Sequence, residues 1–142
     1  MIRPSKPGPR EPGREALTES VSLDPALDSN RVAVLRRTAG SAGVLGEILE
    51  IFLGEARARL VELTGAVERG DARALELAAH RLKGGAAMVG ANRLAHLCEG
   101  LEQQGRQGSV AGAAGTLAGV GLELERVRAA LKPLLPSPVA ES

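Results

Sequence analysis

The chain has 142 residues, of which 44% are hydrophobic and 25% charged, and its formal net charge is +1. These values are ordinary for a soluble one-domain protein, and they give no electrostatic reason to expect nucleic acid or anionic lipid as a partner. Phe52 is the only aromatic residue, which excludes a stacking surface for single-stranded nucleic acid. The single cysteine, Cys98, excludes an internal disulfide and a zinc site built on cysteines, so a reducing compartment is the simplest expectation.

The prolines mark the ends of a domain, because none of the eight lies between residues 26 and 132. Residues 1–20 are rich in Pro, Gly, Arg and Glu, and we predict that they form a disordered leader. The folded domain is predicted to occupy residues 22–132, followed by a C-terminal tail at 133–142.

Neither an export signal nor a membrane span is predicted. The first twenty residues contain no apolar run of the length that a signal peptide needs. The least polar stretch, residues 109–122, is shorter than the roughly 20 residues that cross a bilayer. The expected location is therefore the cytoplasm.

The apolar residues between the prolines recur at spacings of three and four, which is typical of helices, and no alternating run argues for a sheet. A short first helix is predicted from about Asp24 to Arg37, with Asp24 as N-cap and Pro25 at the first helical position. Gly70 is predicted to end the second helix, and Asp71 to cap the third.

Four longer amphipathic helices are predicted after the first. Their inner faces are Leu45, Leu49, Phe52, Ala56, Leu60, Leu63 and Val67 in the second; Leu75, Ala78, Ala79, Leu82, Ala86 and Val89 in the third; Leu94, Leu97, Cys98 and Leu101 in the fourth; and Ala113, Leu117, Val120, Leu124, Val127 and Leu131 in the fifth. Because the loops between them are short, consecutive helices must be antiparallel neighbours. The predicted fold is all-α, an antiparallel up-down four-helix bundle with a short additional N-terminal helix.

A histidine and a lysine lie on the outward side of the predicted third helix. At about 100° per residue, His80 falls roughly 150° from the apolar stripe. Gly84 is one turn further along the same outward face, and Lys83 flanks it. The pattern predicts an imidazole in water, beside a cation and next to a bare backbone.

The pair Gly84-Gly85 is unfavourable inside a helix, since each glycine costs about 1 kcal/mol relative to alanine. One interpretation is that the missing side chains leave space beside His80 for an adduct or for another protein. The alternative is that the pair kinks or ends the helix. The apolar stripe continues through Ala86 and Val89, which favours a continuous helix.

Several kinds of chemistry are possible on the surface around His80. An exposed neutral histidine is a competent nucleophile near neutral pH. A cysteine nucleophile is disfavoured because Cys98 falls on the apolar face of the fourth helix. A metal site would need a second ligand near His80, and only Glu76 is suitably spaced. His96 is interpreted as an ordinary residue on a polar helix face.

These residues favour His80 as a nucleophile towards a group that arrives activated on another protein. A phosphoryl group suits the surroundings, because Lys83 can neutralise its charge and Gly84 leaves room for it. The chain contains neither the P-loop pattern nor a kinase glycine-rich loop, so it is expected to carry phosphate without drawing it from a nucleotide.

The stretch AHRLKGGAAMVGANRLAHLCEGLE, residues 79–102, resembles the pattern of the histidine-containing phosphotransfer (HPt) family: A-H-x-L-K-G, small residues, G-A, then L-x-x-L-C-x-x-L-E. The resemblance extends upstream through LEIFLGEARARLVEL and VERGDARALELAAH to Ser22-Leu23-Asp24, and covers about residues 22–131. It is specific, with one departure: Gly85 stands where the family more often has serine, which removes a possible hydroxyl contact.

The resemblance implies roles for three residues. His80 would be the phosphoacceptor, Lys83 would face the phosphoryl group, and Gly84 would keep the histidine accessible. Members of the family relay phosphate between receiver domains of hybrid sensor kinases and response regulators. The implied protein is a monomeric carrier in a two-component phosphorelay, with no cofactor of its own and with Mg²⁺ in the partner receiver.

Three other classes of protein are alternatives to a stand-alone phosphotransfer protein. The dimerisation domains of sensor kinases typically carry an acidic residue directly after the histidine, where this chain has Arg81. The phosphotransfer domain of chemotaxis kinases has a similar motif but normally belongs to a much longer chain. The rival from a different class is a helical adaptor that binds receivers without chemistry, and the joint presence of His80, Lys83 and Gly84 argues against it.

A docking face for the receiver is also predicted. It comprises the exposed parts of the second and third helices around Glu76, His80, Gly84 and Ala87, together with leftover apolar positions of the second helix such as Ile48 or Ile51.

Overall fold

The computed structural model describes residues 26–136, and every regular element within that range is helical. In chain order the helices are α1 (Ser29–Ala39), α2 (Ala42–Arg69), α3 (Ala72–Met88), α4 (Asn92–Arg106) and α5 (Ala113–Leu131), and a 3₁₀ turn (Lys132–Leu134) follows α5. The all-α prediction is confirmed. The predicted leader at residues 1–20 and the last six residues of the predicted tail lie outside the described residues.

The start of α1 differs from the prediction. The N-cap is Asp28, whose carboxylate accepts hydrogen bonds from the backbone N–H groups of Asn30 and Arg31. The predicted N-cap Asp24 and the predicted first helical residue Pro25 lie outside the described residues, but residues 26–28 are not helical, so α1 begins later than predicted. A tertiary contact holds Asp28 there: its own N–H donates to the carbonyl of Gly90 at 2.7 Å. Short-range sequence rules do not include such a contact.

The connection between α2 and α3 is as predicted. Gly70 ends α2 in the left-handed region, with φ of 71°, where a side chain would be strained. Asp71 then caps α3 by accepting the N–H of Ala74 at 3.0 Å. Two residues suffice to reverse the chain, so α2 and α3 are antiparallel neighbours.

The bundle is closed by four helix pairings: α2 with α3, α3 with α4, α4 with α5, and α5 with α2. α1 packs against α2 and ties down the turn after α3, because the Arg31 Nε donates to the carbonyl of Met88 at 2.9 Å. The antiparallel four-helix bundle with a short N-terminal helix is therefore confirmed. None of the helices in this range combines the length and apolarity that a bilayer span requires.

The core is made of the predicted apolar faces. Every predicted inner-face residue is buried except four, which are partly buried and packed against the core: Leu60, Val67, Leu97 and Leu117. Beyond residue 132 the chain stays on the bundle, since a Cβ atom on Gly46 would lie 3.1 Å from the Pro136 ring. The packed chain thus continues to the end of the described range, past the predicted start of the tail.

α3 and α4 are in close contact at Gly105. A Cβ atom on this glycine would lie 2.6 Å from the Ala72 carbonyl oxygen and 2.7 Å from the Glu76 nitrogen. These distances leave no room for a side chain, so the two backbones are in direct contact there. The contact fixes which turn of α4 faces which turn of α3.

Candidate functional site

α3 runs without interruption through Gly84 and Gly85, so the glycine pair neither kinks nor ends it. Its predicted apolar stripe is buried in full, from Leu75 to Val89. The side chain of His80, on the opposite side of the helix, is 65% exposed. The predicted geometry of an outward-facing imidazole on a continuous helix is therefore present.

The two glycines have different surroundings. A Cβ atom on Gly84 would meet nothing within 4 Å, so this position is open space one turn from His80. A Cβ atom on Gly85 would lie 3.3 Å from Cδ1 of Phe52 on α2. Gly85 therefore accommodates the aromatic ring, whereas packing gives no reason for a glycine at position 84.

A buried carboxylate lies directly behind His80. The Glu102 side chain, on α4, is only 5% exposed, and its Oε2 lies 2.9 Å from the His80 Nδ1. A carboxylate can only accept a hydrogen bond, so Nδ1 carries the proton in this contact. In the neutral imidazole, Nε2 is then the nitrogen with the free lone pair.

Two cations share the same carboxylate. The Lys83 Nζ lies 2.7 Å from the Glu102 Oε1, and the Arg106 guanidinium donates to Oε2 at 2.9 Å. Outer carboxylates complete the network, since Lys83 also donates to Glu99 at 2.8 Å and Arg106 contacts Glu76 at 3.4 Å. The side of His80 that faces α4 is therefore charged, although the Glu102 Oε1 has Lys83 within ion-pair distance and no hydrogen bond of good geometry.

The network shifts the pKa values of its members. The hydrogen bond from Lys83 lowers the pKa of Glu102, with a further contribution from His80 and against the effect of burial. The hydrogen bonds to Glu102 and then Glu99 raise the pKa of Lys83. Both groups are thus charged near neutral pH, which places a carboxylate and an ammonium within a few ångströms of the imidazole.

The side of His80 that faces α2 carries exposed apolar side chains among charged ones. Exposed Leu77 lies one turn before His80 and lines a groove with exposed Val61 of α2, together with Glu62, Arg69 and Arg81. Nearer the start of α2, Ile51 is 62% exposed, and Met88 is exposed at the end of α3. His80 therefore has the charged network on its α4 side and a mixed apolar and charged surface on its α2 side.

The other residues considered from the sequence fall outside this centre. Cys98 is buried, and burial raises the pKa of its thiol to about 12, so it is unreactive as predicted. Glu76 contacts Arg73 and Arg106, and His96 is exposed elsewhere on α4. Within residues 26–136, no three His, Cys, Asp or Glu side chains are grouped as metal ligands.

Glu102 and Arg106 were not identified from the sequence. Two signals were available for Glu102. It is the last residue of the family pattern L-x-x-L-C-x-x-L-E, and it lies directly after Leu101 at the edge of the inner face of α4, where a charged residue is unusual unless it is paired. The sequence did not indicate its partner, because the pairing depends on the register that Gly105 allows between α3 and α4.

The chain is similar to a known protein family and to solved structures. The sequence profile of the Hpt domain family matches residues 47–130, which include α3 and α4 in full. No curated protein sequence matches the chain.

Three solved structures are similar. Histidine-containing phosphotransfer protein B (HptB) from Pseudomonas aeruginosa PAO1 is 32% identical, with a TM-score of 0.73 over 78% of this chain and 94% of the other. A putative histidine-containing phosphotransfer protein from rice is 22% identical, with a TM-score of 0.72 over 85% and 89% of the two chains. ZmHP2 from maize, a histidine-containing phosphotransfer protein, is 23% identical, with a TM-score of 0.70 over 84% and 95%. The two plant structures show the fold alone.

Proposed function

The chain belongs to the Hpt domain family, the histidine-containing phosphotransfer proteins, and on that premise we propose that His80 is its phosphoacceptor. The phosphoryl group would come from an aspartyl phosphate in the receiver domain of a hybrid sensor kinase and pass to the receiver of a response regulator. The observation that carries the proposal is the exposed His80 ring, whose Nδ1 is bonded to the buried Glu102 and whose Nε2 is left free.

In the accepting step, the Nε2 lone pair of His80 attacks the phosphorus of the aspartyl phosphate. The N–P bond forms as the P–O bond to the aspartate breaks, and the aspartate leaves as a carboxylate. The proton on Nδ1 stays in place, so the phosphorylated ring is cationic and faces the Glu102 carboxylate. Donation to the next receiver is the reverse of this step.

Two neighbours of His80 suit this chemistry. Lys83 is bonded to carboxylates beside the ring, and its ammonium can turn to an added phosphoryl group and neutralise part of its charge. The open space at Gly84 leaves a path for the partner's backbone. We assign these residues a supporting role, and His80 the covalent one.

The chain would act as a carrier and not as a kinase. Its sequence holds no nucleotide-binding motif, so the phosphoryl group has to arrive from a partner. The Mg²⁺ that receiver chemistry uses would be supplied by the receiver. We expect the protein to work as a cytoplasmic monomer.

The receiver would dock over the α2–α3 face. The exposed apolar side chains of this face, Ile51, Leu77 and Met88, provide surface that a partner can bury, and the open backbone at Gly84 leaves access beside His80. Exposed Ala87 belongs to the same face, and Ile48 is partly buried beside it. Glu76, which the sequence placed in this face, lies on the α4 side of His80 in the charged network.

The experiment is transfer from a phosphorylated receiver domain to this protein, followed by tests of acid and base stability of the product. An acid-labile, base-stable phosphoprotein is expected from the parent and from His96→Gln, which changes the other exposed histidine. His80→Gln should accept nothing. The variant should still fold, because the Gln amide can donate to the Glu102 carboxylate in place of the His80 Nδ1.

The second candidate is an adaptor that binds receivers without phosphotransfer. It would be favoured if the parent bound a receiver but never became labelled. If His80→Gln still accepted phosphate at another residue, only the assignment of His80 as the phosphoacceptor would be wrong.

A further inference from the structure

We propose that a small groove between α2 and α3 binds one acidic side chain of the receiver, and that Arg81 and Arg59 at its rim hold the carboxylate. The proposal rests on the function proposed above for His80, and it concerns how a receiver is recognised. It is drawn from the two guanidinium groups that border the groove and from the glycine in its floor, Gly85.

The floor of the groove is apolar, and the groove is small. Phe52, Ala56, Leu82 and Gly85 form the floor, and the volume is about 130 Å³. Sites for cofactors and other small molecules usually measure about 300–1,000 Å³, so this groove fits a single side chain and not a free ligand. Because Arg81 directly follows His80 in α3, a receiver that reaches the imidazole also covers the groove.

The groove depends on the glycine at position 85. A Cβ atom there would lie 3.3 Å from the Phe52 Cδ1, so a side chain would occupy part of the space beside the ring. The HPt pattern more often has serine at this position. In this chain the departure from the pattern therefore leaves a groove between α2 and α3.

Two arginines border the groove without a close acid partner. Within residues 26–136 the exposed Arg81 side chain has no hydrogen bond and no ion pair. The Arg59 Nε is buried without a hydrogen-bond partner, since the Glu62 Oε1 lies 3.6 Å away. Glu55, which is exposed, is the only acid of the lining. A buried donor without an acceptor is unfavourable, and an incoming carboxylate would satisfy it.

The charge of the groove complements the partner. Lys83 and Arg106, on the α4 side of His80, already contact Glu102, so in the described part of the chain Arg81 is the cation beside the ring that is left to pair with a partner. A receiver holds its Mg²⁺ through carboxylates, which makes the surface around its aspartyl phosphate acidic. Arginine suits a carboxylate because its planar group can donate two parallel hydrogen bonds.

The test is equilibrium binding of purified receiver domains from the organism that encodes this chain, measured by isothermal titration calorimetry with Mg²⁺ present. Arg81→Glu should raise the Kd of the tightest-binding receiver by at least roughly tenfold, because like charges facing each other across an interface are unfavourable. Arg57→Glu is the matched control. It makes the same change in net charge at another exposed arginine, which lies two residues before Arg59 and so roughly 200° around α2 from it. Its Kd should stay within about twofold of the parent value.

A second variant tests the shape of the groove. The methyl group of Gly85→Ala should raise the Kd roughly tenfold, since one methylene in a small pocket typically discriminates by that much. Gly100→Ala is its control, because a Cβ atom at that exposed position of α4 meets nothing within 4 Å, and it should bind like the parent. Urea unfolding checks that both variants are folded.

A charge exchange identifies the acid. Each Asp and Glu around the phosphorylated aspartate of the receiver is replaced in turn by arginine. One of these receivers should bind Arg81→Glu more tightly than it binds the parent, because the exchange restores a pair of opposite charges.

Equal Kd values for Arg81→Glu and Arg57→Glu would overturn the proposal, as would parent-like binding by a folded Gly85→Ala protein or the failure of every charge exchange. None of these measurements requires phosphorylation. A parent that binds receivers through the groove but never becomes labelled would contradict only the phosphotransfer function. A parent that is labelled normally, and whose groove variants bind like the parent, would contradict only the groove.

Discussion

The ring of Phe52 lies against the bare backbone of Gly85, where a Cβ atom would come within 3.3 Å of the Phe52 Cδ1. The two neighbouring glycines of α3 are therefore not equivalent. Gly84→Ala should raise the free energy of unfolding by up to about 1 kcal/mol, because alanine favours the helix and nothing obstructs it. Gly85→Ala should raise the free energy of unfolding by less, since the Phe52 ring has to shift to make room for the methyl group. Urea unfolding of both variants measures the difference, and equal gains would contradict it.

A larger side chain at position 84 should separate folding from function. Gly84→Gln is expected to fold at least as stably as the parent, while transfer from a receiver falls tenfold or more, roughly 1.4 kcal/mol of lost transition-state stabilisation. Gly100→Gln is the matched control, because Gly100 is also exposed on a helix with nothing within 4 Å of its Cβ position. Normal transfer by a folded Gly84→Gln protein would show that this glycine does not serve access.

Lys83→Ala should keep the fold and shorten the life of the phosphohistidine. The variant loses the cation that can bond to the phosphoryl group, and it leaves the Glu102 charge less compensated beside the ring. Since a hydrogen bond to a charged group contributes about 1.5–3 kcal/mol, the half-life of the label should fall by roughly tenfold. Lys132→Ala, at an exposed lysine after α5, should behave like the parent. An unchanged half-life in Lys83→Ala would mean that the lysine only balances Glu99 and Glu102.

The exposed apolar side chains of the α2–α3 face should matter for binding and not for chemistry. Ile51→Ser should raise the KM for a phosphorylated receiver by roughly tenfold and leave kcat unchanged, because a buried isoleucine contributes about 1.5–3 kcal/mol. Leu122→Ser provides the comparison, since Leu122 is 71% exposed, on α5. If both variants bind the receiver equally well, the docking face lies elsewhere.

Because the pKa of Glu102 is lowered, the stability of the bundle should depend on pH in the acidic range. A carboxyl group with a depressed pKa stabilises the fold fully above its ordinary value of 4.5, and the contribution is lost as the pH falls through the folded-state value. The melting temperature should therefore drop below about pH 4.5 in the parent, and less steeply in Glu102→Gln. Parallel curves for the two proteins would contradict this assignment. Lys83 adds no pH dependence in this range, because its raised pKa stabilises the fold fully below 10.5 and this contribution is lost only as the pH rises through the folded-state value.

Most of the fold could be predicted because the spacing of apolar residues and the capping residues of a helix are local properties of the sequence. The spacing of apolar residues gave the inner faces, and Gly70 and Asp71 marked the end of α2 and the start of α3 through their own backbone chemistry. The start of α1 was missed because the bond between Asp28 and Gly90 joins residues far apart in the chain.

Only the part of the site that lies on a single helix could be predicted from the sequence. His80, Lys83 and Gly84 lie within five residues on α3, so helical geometry was enough to place them together. Glu102 lies on the next helix, and its contact with His80 depends on how α3 and α4 are aligned. Helical periodicity fixes the face of each helix but not the sliding of one helix along another.

That alignment depends on Gly105, where α4 lies against the backbone of α3 at Ala72 and Glu76. Contact between main chains does not depend on the identity of the side chains in the core. Core residues such as Leu63 or Val127 could therefore drift between Leu, Ile and Val, changing the melting temperature without lengthening the bond between His80 and Glu102. A single methyl group at position 105 would instead push α3 and α4 apart and lengthen the bond between His80 and Glu102. Thermal robustness and the reactivity of the imidazole can thus evolve independently in this protein.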